Sequence, residues 1–386
     1  MKTRIQQLNQ TLSWDDLPAL AGWALEQGIY IQQIAAPTFD EKKRAEYVAG
    51  QFRALGLDAI EVDDVYNVYG VLRGARRDVP GVLLSAHIDT VFPADTDLTT
   101  RTEGSLIYGP GLGDNCMGVA GMLAFIEYMR RQNIIPDCDL WFVAPSREEG
   151  LGDLGGMKQA FRRVRDLIGM VINIEGLAFG HVYHAGIAVR RLHITASAEG
   201  GHSWLHFGRA SATHSIVQLG ARITELTPSI RPRTTFNIGM LEGGQGINVI
   251  ATSAGLWLDL RSEESGTLNE LEQRVRQEIE WLSSPDLTFR IDVVGDRPAG
   301  RIDPEHPLVE CAMKALRLLG VSGALEIGST DGNVPLSAGC PTITIGITRG
   351  GNAHRLDEYI ETKPIAAGVQ QLILIVLASA WYQCQQ

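Results

Sequence analysis

Apolar positions follow two rhythms along this chain. Trp14 to Gln27 repeats at helical spacing, with Ser13 as its N-cap, and Asp40 to Leu55 does so again, with Lys and Arg on one face and a stop at Gly56. Short apolar runs of strand length then alternate with helical segments. The runs are Gly81 to Ala86, Leu140 to Ala144, Met170 to Ile174 and Thr342 to Ile347; the helices include Val119 to Arg131 and Pro307 to Leu319. Buried strands alternating with helices predict an α/β catalytic domain whose mostly parallel central sheet is flanked by helices.

Between Gly186 and Pro298 the rhythm changes. Val189 to Ala196 reads as a strand, Ala212 to Leu226 as a helix, and Thr234 to Met240 with Ala254 to Arg261 as a strand pair. Leu268 to Leu282 is a helix and Leu287 to Val294 a closing strand. This order is the split βαβ arrangement, a smaller α+β, ferredoxin-like domain. The sequence therefore divides into residues 1–185 with 299–386, and an insert at 186–298. The chain shows no internal repeat or low-complexity stretch.

Its 386 residues suit two domains, and 45% hydrophobic with 20% charged residues is the balance of a globular protein. A formal net charge of −11 disfavours nucleic acid and anionic membranes as partners. The five cysteines are an odd number, widely scattered, with no Cys-x-x-Cys pair. They read as free thiols of a reducing compartment, and neither a signal segment nor a bilayer-length apolar run is evident, so the cytoplasm is expected.

The candidate chemistry lies where strands end. His87 follows one run, Glu148 and Glu149 another, Glu175 a third, and His354 lies in a Gly/Asn loop after the fourth. Parallel strands bring such ends to one sheet edge. Asp114 sits in the glycine-rich loop from Gly109 to Gly113, ahead of a helix. Two imidazoles with several carboxylates suit a pair of Zn2+ or similar ions. Such ions sit about 3.5–4 Å apart and need a bridging group, a task for Asp114. Asp89, two residues from His87, can accept its second ring N–H, and Glu148 beside Glu149 can serve as general base while its neighbour binds metal. Taken singly, His87 would be a core histidine, Glu148-Glu149 a solvated turn and Asp114 a helix N-cap; the set acquires meaning from its shared edge. His181, His184, His193, His206 and His214 read as structural or surface groups, Arg190-Arg191 as a solvated pair, Cys116 as a buried small residue, and Gly243 to Gly246 as a turn.

The segments His87-Ile88-Asp89-Thr90, Gly111-Leu112-Gly113-Asp114-Asn115, Glu148-Glu149-Gly150, Asn173-Ile174-Glu175-Gly176 and Ala353-His354-Arg355 resemble, in order and spacing, one family. It is the cocatalytic zinc peptidase family of aminoacylase, carboxypeptidase G, tripeptidase and succinyl-diaminopimelate desuccinylase. The resemblance implies that Asp114 bridges two metals, with His87 and Glu175 completing one site and Glu149 and His354 the other. It implies Glu148 as the base that activates water and Asp89 as the orienter of His87. Gly200-Gly201-His202-Ser203 resembles the insert's motif, which makes His202 the group that polarises the scissile carbonyl. Asn248 and Arg261 match the insert's substrate contacts, and Ser329 and Thr330 lie in a loop similar to one that meets the substrate's carboxylate. A homodimer through the insert is implied too. The chain departs from many members at Cys116-Met117-Gly118, where they carry Lys-Gly-Gly, and Glu175 rather than Asp resembles the carboxypeptidase and acylase branches.

The expectation is a dinuclear metal hydrolase, with Zn, Co or Mn, cutting short peptides. N-acyl amino acids are the alternative substrates, and a non-catalytic binding protein of the same fold is the alternative of another class. A serine or cysteine hydrolase is disfavoured because no Gly-x-Ser-x-Gly elbow is present.

Overall fold

A computed structural model describes residues 1–386 as two compact units, Met1–Gly186 with Gly300–Gln386, and Ile187–Ala299. In the first, nine strands form one sheet. Its order is Asp58–Val62, Val68–Leu72, Leu140–Ala144, Gly81–Ser85, Ile168–Ile174, Thr342–Ile345, His181–Gly186 and Gly300–Arg301, with Ala324–Gly328 also paired to His181–Gly186. The four central strands, from Leu140–Ala144 to Thr342–Ile345, are mutually parallel, and antiparallel pairs flank them on both sides. These central strands are apolar on both faces because helices cover both. A smaller antiparallel sheet joins Gly350–Gly351, Tyr359–Glu361, Leu106–Tyr108 and Arg101–Glu103 in that order. It ties the glycine loop that follows Tyr108 to the His354 loop.

Two N-terminal details differ from the sequence reading. The helix expected from Trp14 runs Leu17–Gln32 behind Asp16, because Pro18 fits only a first turn; Ser13 instead donates its hydroxyl to Asp15, 3.2 Å away. A further helix, Lys2–Thr11, is almost entirely polar and shows little periodicity. It exists by burying Ile5 and Leu8 against the helices Pro307–Leu318 and Ile365–Gln383.

The helix Ile365–Gln383 is long and apolar enough to cross a membrane by length and composition, with a mean hydropathy of 1.7. Here it is a core element: Leu372, Leu374 and Val376 are fully buried among the central cluster.

The second unit is an antiparallel sheet ordered Thr234–Gly243, Ser253–Ser262, Ala188–Ala198 and Leu287–Arg297. The helices Ala212–Thr224 and Ser265–Leu282 pack on one face over a separate core of Leu192, Ile194, Leu256, Leu258, Leu219 and Val275. A two-residue pairing of Gly201–His202 with Val249–Ile250 fixes the start of the His202 loop. The arginine pair is not simply solvated. Arg190 is clamped between Glu272 and Asp296, and Arg191 pairs with Asp259 at 3.3 Å, because neighbouring strands set Asp296 and Asp259 beside them and the covering helix Ser265–Leu282 supplies Glu272.

Replacing Leu374 by Ala removes a fully buried side chain from the core helix. It should lower unfolding free energy by about 3 kcal/mol in a urea titration; a loss below about 1 kcal/mol would contradict a close-packed position.

Candidate metal centre

The edge formed by the carboxyl ends of the parallel strands gathers the chemistry. His87 stands two residues past the strand Gly81–Ser85 and is 2% exposed. Its Nδ1 faces the Asp89 carbonyl oxygen at 3.2 Å and the Asp89 carboxylate at 3.4 Å. That contact turns Nε2 towards Asp114 Oδ1, 3.2 Å away, and Glu175 Oε2, 3.5 Å away. The other half repeats the pattern. His354 Nε2 lies 3.1 Å from Asp114 Oδ2 and 3.1 Å from Glu149 Oε1. Asp114 thus offers one oxygen to each imidazole, and each imidazole meets a second carboxylate.

Asp89 does more than orient one ring. Its carboxylate, fully buried, accepts the backbone N–H groups of Glu148 and Glu149 at 2.8 and 2.9 Å and the Thr38 hydroxyl at 2.8 Å. One charged group therefore fixes the imidazole and the loop carrying both glutamates. These donors and the His87 ring outweigh the cost of its burial and hold its pKa below the usual carboxylate value.

Asp114 is not a helix cap. The helix Gly118–Arg131 starts four residues later, after an irregular turn over Leu112–Met117 that contains a cis peptide between Asp114 and Asn115. Two groups given no role by the sequence shape that turn. The buried Glu358 carboxylate accepts the backbone N–H groups of Gly111, Gly113 and Asp114 at 3.0, 2.6 and 2.9 Å. Burial raises its pKa to about 7, against the opposing pull of those donors. Asn115 donates to the Ile174 carbonyl at 2.8 Å and accepts the Gly176 N–H at 2.8 Å, so its side chain grips the backbone on both sides of Glu175. A Cβ at Gly118 would stand 1.9 Å from the Asn115 side-chain oxygen, which is why glycine follows Met117.

Arg44, within the helix expected over Asp40 to Leu55, shares the buried face of Ala45, Val48 and Phe52 and is 2% exposed. Its guanidinium donates to the Ile88 carbonyl at 2.7 Å and twice to Ile34, pinning the peptide between His87 and Asp89. The only sequence trace of these helpers is proximity: Glu358 comes four residues after His354, and Asn115 directly after Asp114.

Of the remaining expected residues, Ser329 and Thr330 lie at the margin of this cluster. Thr330 Oγ1 is 3.3 Å from Asn173 Nδ2, which is itself 3.3 Å from Glu175 Oε1; Ser329 is half-buried beside it. His202, Asn248 and Arg261 belong to the second unit. His202 is exposed, and its Nδ1 accepts the Trp204 N–H at 3.2 Å, which leaves the ring proton on Nε2. Asn248 is exposed, and its carbonyl accepts the Ser203 N–H. Arg261 is engaged by Asp259 at 2.7 Å.

The cluster is built for cations. The ligand atoms of His87, Asp114 and Glu149 all lie within 4.8 Å of one another, and the donors are the N and O types that divalent transition metals take. The electrostatics agree. Burial works against a charged His87, yet Glu175 and Asp114 lift its pKa well above the ordinary value. Asp114 and Glu149 raise His354 to about 10. Burial lifts Glu175 upward, opposed by His87. Surplus negative charge, with protons standing where cations fit, is the signature of a metal-binding cluster.

Comparison with known proteins places this geometry. The pattern of peptidase family M20/M25/M40 matches residues 83–378. The chain belongs to that family. It is 25% identical to the acetylornithine deacetylase of Shigella sonnei over 92% of this chain and 97% of the relative, and 26% identical to that of Salmonella arizonae over 87% and 90%. Its fold matches a tripeptidase from Staphylococcus aureus with a TM-score of 0.80 at 21% identity, covering 94% of this chain and 99% of the other. It also matches aminopeptidase PepT from Bacillus cereus with a TM-score of 0.75 at 20% identity over 92% and 98%. The protein is a metal-dependent hydrolase of amide bonds.

Because the surrounding carboxylates favour the protonated form of both imidazoles, metal loading should expel protons at pH 7, about one per histidine. Calorimetric zinc titrations in buffers of different ionisation enthalpy measure this; proton release near zero would contradict ligation through His87 and His354. Glu358→Gln should weaken metal affinity by about tenfold or more, because its amide would face a backbone N–H where a carboxylate oxygen now accepts it. Equilibrium dialysis with metal analysis checks that figure.

Proposed function

We propose that the chain binds two divalent cations, zinc foremost with cobalt or manganese able to substitute, and hydrolyses the amide bonds of short peptides. The observation that carries the reading is the two-sided Asp114 carboxylate, flanked by His87 with Glu175 on one side and His354 with Glu149 on the other. Bound there, the cations would supply Lewis acidity and a water-derived nucleophile at neutral pH.

The protein's own groups carry the proton and the orientation. Glu148 is buried, adjacent to a proposed ligand, and fixed through its backbone N–H by Asp89. In this role it takes the proton from the attacking water and returns it to the leaving amine nitrogen. Asp89 keeps the His87 proton on Nδ1, so Nε2 presents a lone pair to metal. His202, with its proton on Nε2, donates to the developing oxyanion of the scissile carbonyl. Asn248, Arg261, Ser329 and Thr330 are assigned to the substrate's polar ends.

N-acyl amino acids are the second reading, favoured by the relatives named acetylornithine deacetylase. The insert is assigned to pairing of two chains. Its edge strand Thr234–Gly243 exposes Met240 and Leu241, and the helix Ala212–Thr224 exposes Val217, apolar groups that pairing would cover. The free cysteines and acidic charge fit a reducing cytoplasm and a small-molecule substrate rather than nucleic acid or membrane.

Glu148→Ala should reduce kcat by about a thousandfold or more while metal content stays near two ions per chain. Substantial remaining turnover would refute the assignment of the base. Parallel assays on di- and tripeptides and on N-acetyl amino acids separate the two substrate readings. A mass measurement at micromolar concentration tests pairing, since a monomer would contradict it.

A further inference from the structure

The loop that carries both glutamates is held by side chains. Ser146 to Glu149 lie outside any helix or strand, just past the parallel strand Leu140–Ala144. Their four successive backbone N–H groups are accepted one after another. Asn67 Oδ1 takes that of Ser146 at 3.0 Å, Glu41 Oε1 that of Arg147 at 3.1 Å, and the two Asp89 oxygens those of Glu148 and Glu149. All three acceptor residues are fully buried.

Glu41 holds the point where the chain turns. Arg147 has φ 55°, a region glycine enters freely and a bulky residue enters at a cost. Glu148 follows directly, so the torsions of Arg147 set the direction in which the next residue leaves. The same Glu41 oxygen accepts the N–H of Phe39 at 2.9 Å, itself left-handed at φ 79°. The segment carrying Glu41 is anchored beside the loop, since Thr38 donates its hydroxyl to Asp89 at 2.8 Å and a Cβ on Gly152 would stand 2.6 Å from Thr38 Cγ2.

The site is a poor one for a carboxylate. Burial, and then the Asp89 charge, push the Glu41 carboxyl above its ordinary pKa, and its second oxygen, Oε2, is buried without a donor. An apolar side chain would escape both penalties but would leave two backbone N–H groups without an acceptor.

We infer that Glu41 is a positioning residue of the hydrolytic site, fixing the turn at Arg147 and so aiming Glu148. The inference rests on the assignment of Glu148 as the base in the reading proposed above. Glu41 acts through an oxygen acceptor rather than through charge, because Oε1 alone makes both contacts.

The test pairs two variants of similar length. Glu41→Gln keeps an oxygen for both N–H groups, whereas Glu41→Met keeps the stem and removes the acceptor. Hydrogen exchange read at single amides should find Arg147 protected in wild type although it lies in a loop; fast exchange there overturns the inference without any variant. Glu41→Met should speed that exchange by about tenfold or more. Per folded, zinc-loaded molecule, it should lower kcat by about a hundredfold, with KM within about threefold of wild type. Glu41→Gln should regain about tenfold or more of the lost kcat and keep Arg147 protected. An unchanged kcat in Glu41→Met would make Glu41 merely structural, and Glu41→Gln as impaired as Glu41→Met would make charge its contribution; either overturns the inference. Should Glu41→Met fold poorly, loss of Arg147 protection in Glu41→Gln overturns it still. A wild type that cleaves no amide, yet protects Arg147 through the Glu41 acceptor, would instead sink the hydrolase reading and leave the brace on the loop standing.

Discussion

Like charges do not gather in a buried place unless something holds them. Asp89, Asp114, Glu149, Glu175 and Glu358 are brought together where water is scarce, and each resists both burial and its neighbours. The local structure reads as a set of answers to that constraint. Asp89 and Glu358 are met by backbone N–H groups, which carry partial positive charge without adding a side chain. Asp114, Glu149 and Glu175 are met by imidazoles, whose protonated form the carboxylates favour and whose protons cations could replace. The division is functional. Carboxylates satisfied by peptide groups cannot trade their partners and so act as braces, whereas those satisfied by protonated histidines can exchange a proton for a metal.

The braces need a scaffold that does not move. Parallel pairing of the central strands brings His87, the Glu148–Glu149 loop and Glu175 to one edge, a placement set by hydrogen-bond register rather than by the loops. Asp114 and His354 come from elsewhere in the chain. Their positions depend on the small antiparallel sheet that joins Leu106–Tyr108 to Tyr359–Glu361, and on Glu358, which begins that second strand's approach and grips the glycine loop. The close fit of Gly113 and Gly176, where a Cβ on Gly176 would stand 2.0 Å from the Gly113 carbonyl oxygen, lets the two loops touch.

Much of this was legible in the chain before folding. Strands such as Gly81–Ser85 and Leu140–Ala144 are apolar throughout, and ligand-type residues follow them directly, so the α/β architecture and the gathering of candidate ligands at one edge emerge together. The insert's strand and helix order was readable for the same reason. What stayed hidden depends on contacts between distant segments. Glu358 reaches a loop more than two hundred residues away, and Arg44 is a charged residue on the apolar stripe of its helix whose carbonyl partners come from other segments. Glu41 leaves no local trace of its two backbone partners. Asp58–Val62 is a half-exposed edge strand, and Lys2–Thr11 is a polar helix rescued by two buried residues; neither pattern is strong enough to stand without its tertiary neighbours.

The two halves of the cluster are unequally prepared. His87 is buried, follows a central strand and is fixed through Nδ1 by Asp89. His354 is half exposed at its side chain, sits at φ 67° in a surface loop, and shares that left-handed conformation with nearby Asn352. Strained, exposed backbone is the part of a structure that opens most readily. Preorganisation therefore favours the His87 half as the place where a cation finds its geometry already made. The His354 half is the more exposed and has more order still to acquire. If cations occupy both halves as proposed, the Asp114 carboxylate, which faces both imidazoles, would make them dependent: filling one would fix Asp114 and present its second oxygen to the other.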